Sequence, residues 1–196
     1  MPLGIGQLLN WGPPWQTTTG TIINTATTQT ISPQATGPAD FSVATAYLYT
    51  GAVIYTLAQG MLTTTATSTT HTVFLAAGSG PTTLATPSGL TTGTTAITSI
   101  NWQWETWSRI TNVASSGNTV STQGHFKLYN AGAALPANPS VLTATAGLDL
   151  PAPNSGGETA AAVNTTIAMP IMLRATLAAA QGSITCTQFL VFHLYG

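Results

Sequence analysis

Hydrophobic and polar residues alternate along this chain in short runs, and glycine, proline, serine and asparagine separate the runs. An alternation with a period of two is typical of β-strands that bury one face. The pattern predicts about eight to ten strands and no helix. The predicted strands are 21–31, a pair around Gly51 within 41–62, 69–78, 94–111, 119–130, 140–148, 164–180 and 183–196.

The longest predicted strand carries the segment INWQWETWSRIT at 100–111. Alternation divides this segment into two faces. One face is apolar at its start and small at its end, which is typical of a core face: Ile100, Trp102, Trp104, Thr106 and Ser108. The opposite face is polar except for one tryptophan: Asn101, Gln103, Glu105, Trp107 and Arg109. We therefore expect Trp102 and Trp104 in the core and Trp107 outside it.

Two hairpins are predicted in the second half of the chain. The turn ASSGN joins the long strand to 119–130, and a turn near Gln181 and Gly182 joins 164–180 to 183–196. The last strand becomes apolar on both faces, which places it in the centre of a sheet or at an interface. Strict alternation divides this strand into two sets: Ile184, Cys186, Gln188, Leu190, Phe192 and Leu194 against Thr185, Thr187, Phe189, Val191, His193 and Tyr195.

Many short strands with frequent turns predict an all-β fold for residues 21–196, namely an antiparallel two-sheet sandwich or jelly roll. Residues 1–20 are predicted to form an extended N-terminal arm, because the prolines of GPPW remove backbone donors and fix φ. The arm carries six large apolar residues, which we expect to contact a neighbouring subunit or the surface of the same domain: Leu3, Ile5, Leu8, Leu9, Trp11 and Trp15.

The composition indicates a surface with very little charge. Charged residues make up 4% of the 196 residues, and the formal net charge is −1, whereas ordinary soluble proteins contain roughly 25% charged residues. Three Lys and Arg residues argue against a nucleic-acid partner, which needs basic clusters. Such a chain suits a surface that is covered by copies of itself or by a larger assembly. A threonine-rich secreted protein is the alternative.

The single cysteine, Cys186, predicts no disulfide, and its place in an alternating apolar run indicates a buried thiol. No apolar stretch is long enough to span a membrane. The N-terminus lacks the basic and apolar regions of a signal peptide. We therefore expect assembly in a cytoplasm, without a membrane partner.

Residues that could carry chemistry are few and scattered. His71, His125 and His193 each lie within a predicted strand, and no cysteine or acidic residue stands near them at ligand spacing. Nothing in the sequence places two carboxylates together for glycosidase chemistry. Neither a Gly-x-Ser-x-Gly elbow nor a phosphate-binding glycine loop before a helix is present. We therefore expect no enzyme, no catalytic residue, no metal site and no cofactor.

The outer face of the long strand is the candidate interaction site. Glu105 and Arg109 stand roughly 13 Å apart in a strand, so each needs a partner from elsewhere. We predict that Glu105 meets Arg174 or Lys127 across strands or across a subunit interface, and solvation of all these groups is the alternative. Trp107 is either a subunit-contact residue, since aromatic residues are enriched in interface cores, or a platform for a sugar.

Three segments together resemble the virion structural proteins of tailed bacteriophages, especially those of actinobacteria. FSVATAYLYTGAVIYTLAQGML is similar to their early strand pair around a glycine turn. INWQWETWSRITNVASSGNTVSTQGHFKL is similar to their long hairpin, in which a Trp-x-x-Glu strand leads into a Gly-x-Phe strand. IMLRATLAAAQGSITCTQFLVFHL is similar to their final hairpin. The resemblance covers roughly residues 40–196 in layout and includes no catalytic motif.

The resemblance implies a jelly roll of the tumour-necrosis-factor-like kind, which is often trimeric. Such proteins lie on phage heads as decoration proteins or on tails as minor tail proteins. The leading expectation is a homotrimer in the virion that binds the major capsid protein or other virion proteins and stabilises the shell, with the arm as a clamp. The alternative is a minor tail or fibre module that binds host-surface carbohydrate through Trp107. No functional residue carries over from this family, because it has no shared active site.

Overall fold

The computed structural model describes residues 7–8, 20–23, 27–32, 41–65, 70–87, 90–92, 97–129, 141–142, 148–151, 161–177 and 182–194. Within these residues the chain forms fourteen strands and one turn of 3₁₀ helix, Thr45–Tyr47. The strands before residue 93 are β1 (Gln7–Leu8), β2 (Gly20–Ile23), β3 (Gln29–Thr30), β4 (Ser42–Val43), β5 (Val53–Thr64), β6 (Thr70–Ala77), β7 (Thr82–Ala85) and β8 (Leu90–Thr92). Those after it are β9 (Ile97–Ile110), β10 (Val120–Tyr129), β11 (Val141–Leu142), β12 (Leu148–Pro151), β13 (Met169–Thr176) and β14 (Gly182–Leu194).

The strands of the described residues form two sheets of seven strands each. The first sheet has the order β1-β14-β5-β9-β10-β12, and β2 also pairs with β14. The second sheet has the order β11-β8-β6-β13-β3, with β4 paired to β13 and β7 paired to β6. Neighbouring strands are antiparallel except for the short pair of β11 and β8. The predicted all-β antiparallel sandwich is confirmed.

One hydrophobic core lies between the inner faces of the two sheets. The predicted inner face of β9 is confirmed, because Trp102 and Trp104 are 1% and 0% exposed and Ile100, Thr106 and Ser108 are also buried. The Phe126 ring of β10 packs against both indoles, at centroid distances of 5.8 Å from Trp102 and 6.0 Å from Trp104. Three aromatic side chains on two paired strands therefore fill the middle of the core.

A glycine on β5 makes room for the Trp102 indole. Gly60 lies opposite Trp102 in the register of β5 and β9. A Cβ at Gly60 would overlap the carbonyl oxygen of Thr185 and crowd the Trp102 ring. Gly60 is thus required by the close approach of a backbone and a large side chain, which is a common reason for glycine within a strand.

β14 lies inside the first sheet, since it pairs with β5 along one edge and with β1 and β2 along the other. A β-bulge between Cys186 and Gln188 adds Thr187 to the strand. The residues that face the core are Ile184 and Cys186 before the bulge and Phe189, Val191 and His193 after it. Strict alternation is therefore wrong beyond Cys186, because one extra residue reverses the two faces.

The hairpin of β9 and β10 is confirmed, but the predicted terminal hairpin is wrong. β13 pairs with β6 in the second sheet, whereas β14 pairs with β5 in the first. Both strands bury one face in the same core from opposite sides, so their sequence patterns do not reveal the crossing. The predicted strand before Gly51 is also wrong for most of its length, since the chain turns at Thr45–Tyr47 after the short β4. The predicted strand 21–31 divides into β2 and β3 in different sheets.

Candidate functional site

The outer face of the first sheet, which points away from the core, carries the candidate site. Its side chains come from β14, β5, β9 and β10 and are in register across these four strands. The rows are Phe192, Tyr55, Trp107 and Gln123; then Leu190, Leu57, Glu105 and His125; then Gln188, Gln59, Gln103 and Lys127. The face is therefore apolar and aromatic at one end and rich in amides at the other.

Three rings form the aromatic cluster of this face: Tyr55, Trp107 and Phe192. Tyr55 lies between the other two, with its ring centroid 5.3 Å from Trp107 and 5.9 Å from Phe192. Trp107 is 40% exposed, which confirms that its side chain lies outside the core. The aliphatic residues beside the cluster are half-buried: Val53, Leu57, Leu190 and Leu194. Together they form a continuous apolar surface across β14, β5 and β9.

Glu105 borders the aromatic cluster and accepts a hydrogen bond from the Tyr55 hydroxyl, with 2.7 Å between Oη and Oε1. Burial of Tyr55 raises the pKa of its hydroxyl well above the ordinary value of 10.0, and the hydrogen bond to Glu105 and its negative charge raise it further. The phenol therefore stays protonated and continues to donate to the carboxylate at physiological pH. This bond joins β5 to β9 and holds the Tyr55 ring beside Trp107.

Arg174 cannot reach Glu105 of the same chain. It lies on β13 in the second sheet, between Leu173 and Ala175, which face the core. Its guanidinium carbon is 5.8 Å from the centroid of the Phe74 ring on the outer face of that sheet. The two sheets therefore separate Arg174 from Glu105, and a pair between them across a subunit interface stays a prediction.

Lys127 and Arg109, in contrast, share the outer face of the first sheet with Glu105. In register, Lys127 lies opposite Gln103 of β9 and opposite Asp149 of β12. Arg109 is exposed at the aromatic end of the face. The Tyr55 phenol bonds to Glu105 within the chain, and the sequence does not indicate this partner.

The amide-rich end of the face contains an open pocket of about 390 Å³, here called the amide pocket. Its lining residues are Gln59, Gly60, Met61, Asn101, Trp102, Gln103, Tyr129 and Thr187. Tyr129 donates a hydrogen bond to Gln103 Oε1 at 2.8 Å, and Thr187 donates one to the backbone carbonyl oxygen of Gln59 at 3.1 Å. Thr187 reaches this position because it is the extra residue of the β14 bulge.

The cysteine and two of the histidines belong to the core. Burial raises the pKa of Cys186 to about 12, and its thiol donates to the Gln188 carbonyl oxygen at 3.2 Å. Burial lowers the pKa of both His71 and His193. Within the described ranges, no group of three His, Cys, Asp or Glu residues could hold a metal ion. No helix among the described residues has the length and apolar character needed to cross a membrane.

Of the predicted arm, the structure describes Gln7, Leu8 and Gly20. Gln7 and Leu8 form β1, whose backbone pairs with His193 and Phe192 along the edge of β14 that faces away from β5. This part of the arm therefore lies against its own first sheet. The other predicted contact residues of the arm lie outside the described residues: Leu3, Ile5, Leu9, Trp11 and Trp15.

Trp107 and Glu105 are recognisable from the sequence, whereas Tyr55, Phe192 and the amide pocket are not. Tyr55 is separated from Glu105 by 50 positions, and they meet only because β5 pairs with β9. The alternation within 53–64 does show that Tyr55 lies on an outer face, but it does not show the neighbouring strand. Comparison with known proteins supplies no such information either, since no protein-family model, curated protein or solved structure matches the chain.

Proposed function

We propose that this protein is a structural protein of a tailed-bacteriophage virion, a jelly roll that assembles as a trimer and binds the capsid shell as a decoration protein. The observation that carries the proposal is the apolar outer face of the first sheet, on which Trp107 is 40% exposed beside Tyr55 and Phe192. Apolar patches of this kind mark contacts with other molecules, and aromatic residues are enriched in the cores of such contacts.

The surroundings of Trp107 favour a subunit contact over a sugar platform. A sugar site needs polar groups that bind hydroxyls next to the aromatic ring. The Tyr55 ring and half-buried aliphatic residues of β5 and β14 lie on one side of Trp107, and Gln123 lies on the other. The nearest carboxylate, Glu105, already accepts the Tyr55 hydrogen bond. A second copy of the chain would cover the apolar part of this surface, where the Tyr55 hydroxyl and the Glu105 carboxylate already bond to each other.

The path of the chain supports the jelly roll. The chain crosses repeatedly between the sheets, because β5 lies in the first, β6 in the second, the hairpin of β9 and β10 in the first, β13 in the second and β14 in the first. β14 returns to lie beside β5, and β13 returns to lie beside β6. Strands distant in sequence are thus neighbours, as in double-sheet jelly rolls.

The low charge and the resemblance to phage proteins support a place in the virion. With three basic and four acidic residues in 196, the surface has little charge to keep separate copies apart. The resemblance of residues 40–196 to tailed-phage virion proteins supports a place in the virion, on the head or on the tail, and the shell is the location we propose. The arm would act as the clamp, with β1 as its attachment to the domain.

The subunit contact is tested by the mass of the protein in solution. Size-exclusion chromatography with light scattering should give a trimer for the wild type, and Trp107→Ala should shift the protein towards the monomer at equal concentration. Gln123→Ala is the matched control, because Gln123 lies opposite Trp107 on the same outer face and is exposed. A monomeric wild type, or equal masses for all three proteins, would contradict the proposed contact.

The capsid contact is tested by sedimentation with purified undecorated capsids. The wild type should cosediment with the capsids and raise their resistance to heat, and deletion of residues 1–18 should abolish both effects if the arm is the clamp. Equal binding by the truncated protein would exclude the arm from this role. Absence of wild-type binding would contradict decoration while leaving the trimer measurement intact.

A further inference from the structure

We propose that the amide pocket binds a neutral saccharide. The pocket lies at the opposite end of the outer face from the aromatic cluster, and none of its eight lining residues belongs to that cluster. The proposal therefore does not require the trimer contact. It also differs from a sugar platform at Trp107, because Trp107 belongs to the aromatic cluster and does not line the amide pocket.

The first argument is the donor and acceptor pattern of the lining. Gln59, Asn101 and Gln103 each combine a carbonyl acceptor with an NH₂ group that supplies two donors. Gln59 lies opposite Gln103 in the register of β5 and β9, and side chains at such positions are about 5 Å apart. A planar amide can bond to two neighbouring hydroxyl groups at once, and adjacent hydroxyls that both donate and accept are the defining feature of a sugar ring.

The second argument is that two polar groups of the lining are held in place, namely the Gln103 amide and the Thr187 hydroxyl. The Tyr129 hydroxyl donates to Gln103 Oε1, which fixes the amide and leaves its NH₂ group available to a ligand. Thr187 donates to the backbone carbonyl oxygen of Gln59, which orients the Thr187 hydroxyl and leaves its lone pairs available as acceptors. Groups that are already ordered lose less conformational entropy when a ligand binds.

The third argument concerns the apolar surfaces of the pocket. Tyr129 and Met61 are each 42% exposed beside the amides. A pyranose ring has one face lined by C–H groups, and an exposed ring or thioether gives that face an apolar surface to cover. The pocket thus combines hydroxyl-binding groups with apolar contact area.

Charge and size exclude other classes of ligand. None of the lining residues is Asp, Glu, Lys, Arg or His, so a phosphate, a sulfate or a carboxylate would meet no counter-charge within the lining, although Lys127 lies opposite Gln103 at its border. A purely apolar ligand would leave the three amides desolvated and without partners, which is costly. The volume of about 390 Å³ lies within the range of small-molecule sites, roughly 300–1,000 Å³. A neutral saccharide meets all of these conditions.

Saturation-transfer NMR with a panel of neutral sugars tests the proposal. The panel contains glucose, galactose, mannose and N-acetylglucosamine with their di- and trisaccharides at millimolar concentration, and sialylated and sulfated sugars serve as charged probes. The proteins are the wild type, Asn101→Ala, Tyr129→Phe, Trp107→Ala and Gln123→Ala. Tyr129→Phe keeps the ring and removes the hydroxyl that orients Gln103, and Gln123→Ala removes an exposed amide of the same face outside the pocket.

We expect at least one neutral sugar to bind the wild type more tightly than the charged probes. Asn101→Ala should weaken that binding about tenfold, because a site that bonds to hydroxyls depends strongly on each polar partner. Tyr129→Phe should weaken it to a smaller degree, and Gln123→Ala should bind as the wild type does. Binding by no neutral sugar, preference for a charged probe, or loss in Trp107→Ala but not in Asn101→Ala would overturn the proposal. Light scattering of the same proteins shows whether a loss of sugar binding is independent of trimer formation, since the pocket variants should keep the wild-type mass.

Discussion

Trp104 and Trp107 show that neighbouring residues of one strand can have opposite roles. Trp104 is fully buried, and its indole N–H donates to Thr106 Oγ1 at 3.2 Å inside the core. Trp107, three positions later on the opposite face, is 40% exposed beside Tyr55. A period of two makes this division readable from the sequence as long as the strand is regular.

Cys186 should be inert in the folded protein. Its side chain is fully buried, and burial raises the pKa of its thiol to about 12, so the reactive thiolate is scarce at neutral pH. A chromogenic thiol reagent should modify the folded wild type at least about a hundredfold more slowly than the protein in denaturant. Thr187→Cys in a Cys186→Ala background is the matched control, because Thr187 is exposed and should react quickly. Equal native rates for the two thiols would show that Cys186 is accessible.

Gly60→Ala should destabilise the sandwich by at least about 1–3 kcal/mol. The added methyl group would overlap the Thr185 carbonyl oxygen and crowd Trp102, and a backbone oxygen within a sheet cannot move away freely. Gly80→Ala is the control, since a Cβ at Gly80 meets nothing within 4 Å, and its effect should stay within about 0.5 kcal/mol. Urea denaturation of the three proteins measures both differences. Similar midpoints for Gly60→Ala and the wild type would disprove the close approach.

At the scale of elements, β9 and β14 mark what the sequence could and could not predict. The faces of β9 follow from alternation because the strand is regular from Ile100 to Ile110, and the hairpin with β10 follows from its turn. The faces of β14 change at Thr187, and no residue type at that position signals a bulge. A bulge depends on how two backbones pair, which a single strand's pattern does not contain.

The candidate site depends on strand order even more than the fold does. A short connection can lead into β14 either by a hairpin within one sheet or by a crossing to the other sheet. The sequence alone therefore does not show that β5 is the neighbour of β14. The Tyr55–Glu105 bond and the row of Gln188, Gln59 and Gln103 exist only because β14, β5 and β9 lie side by side. Local pattern thus gives the face of a side chain, and topology gives its partners.

Deletion of Thr187 should leave the fold intact, whereas deletion of Leu190 should not. Without Thr187, the pairs Cys186 with Gly60 and Gln188 with Gln59 become consecutive, and every later residue keeps its partner and its face. If Leu190 is deleted, either the side chains of Val191 and His193 turn outwards or that of Gln188 turns into the core. We expect the melting temperature to change by less than about 5 °C in the first case and to fall by more than about 10 °C in the second. Thermal melts followed by circular dichroism measure both, and equal losses would show that the bulge is not a simple insertion.

At the scale of the whole molecule, the two sheets are alike on their inner faces and differ on their outer faces. The inner faces share one core, but the first sheet presents the aromatic cluster and the amide pocket, and the second presents Arg174 over Phe74. Four acidic residues in the chain leave few carboxylates to control its response to acid. The buried histidines are therefore expected to dominate the dependence of stability on pH below neutrality.

Stability should fall as the pH is lowered below about 6.5. His71 in the second sheet and His193 in the first are 1% and 0% exposed, and burial lowers the pKa of both from the ordinary value of 6.5. Between pH 6.5 and the lower pKa of the folded state, the unfolded state binds protons that the folded state does not bind. The protein therefore has its full stability above this pH range and loses stability as the pH falls through it. Each histidine adds a slope of up to about 1.4 kcal/mol per pH unit to the free energy of unfolding. Urea titrations from neutral pH to pH 4 should show this slope in the wild type and in the control His125→Gln, which changes an exposed histidine. His71→Gln and His193→Gln should each reduce the slope, and a wild-type profile that is flat across this range would refute the role of both side chains.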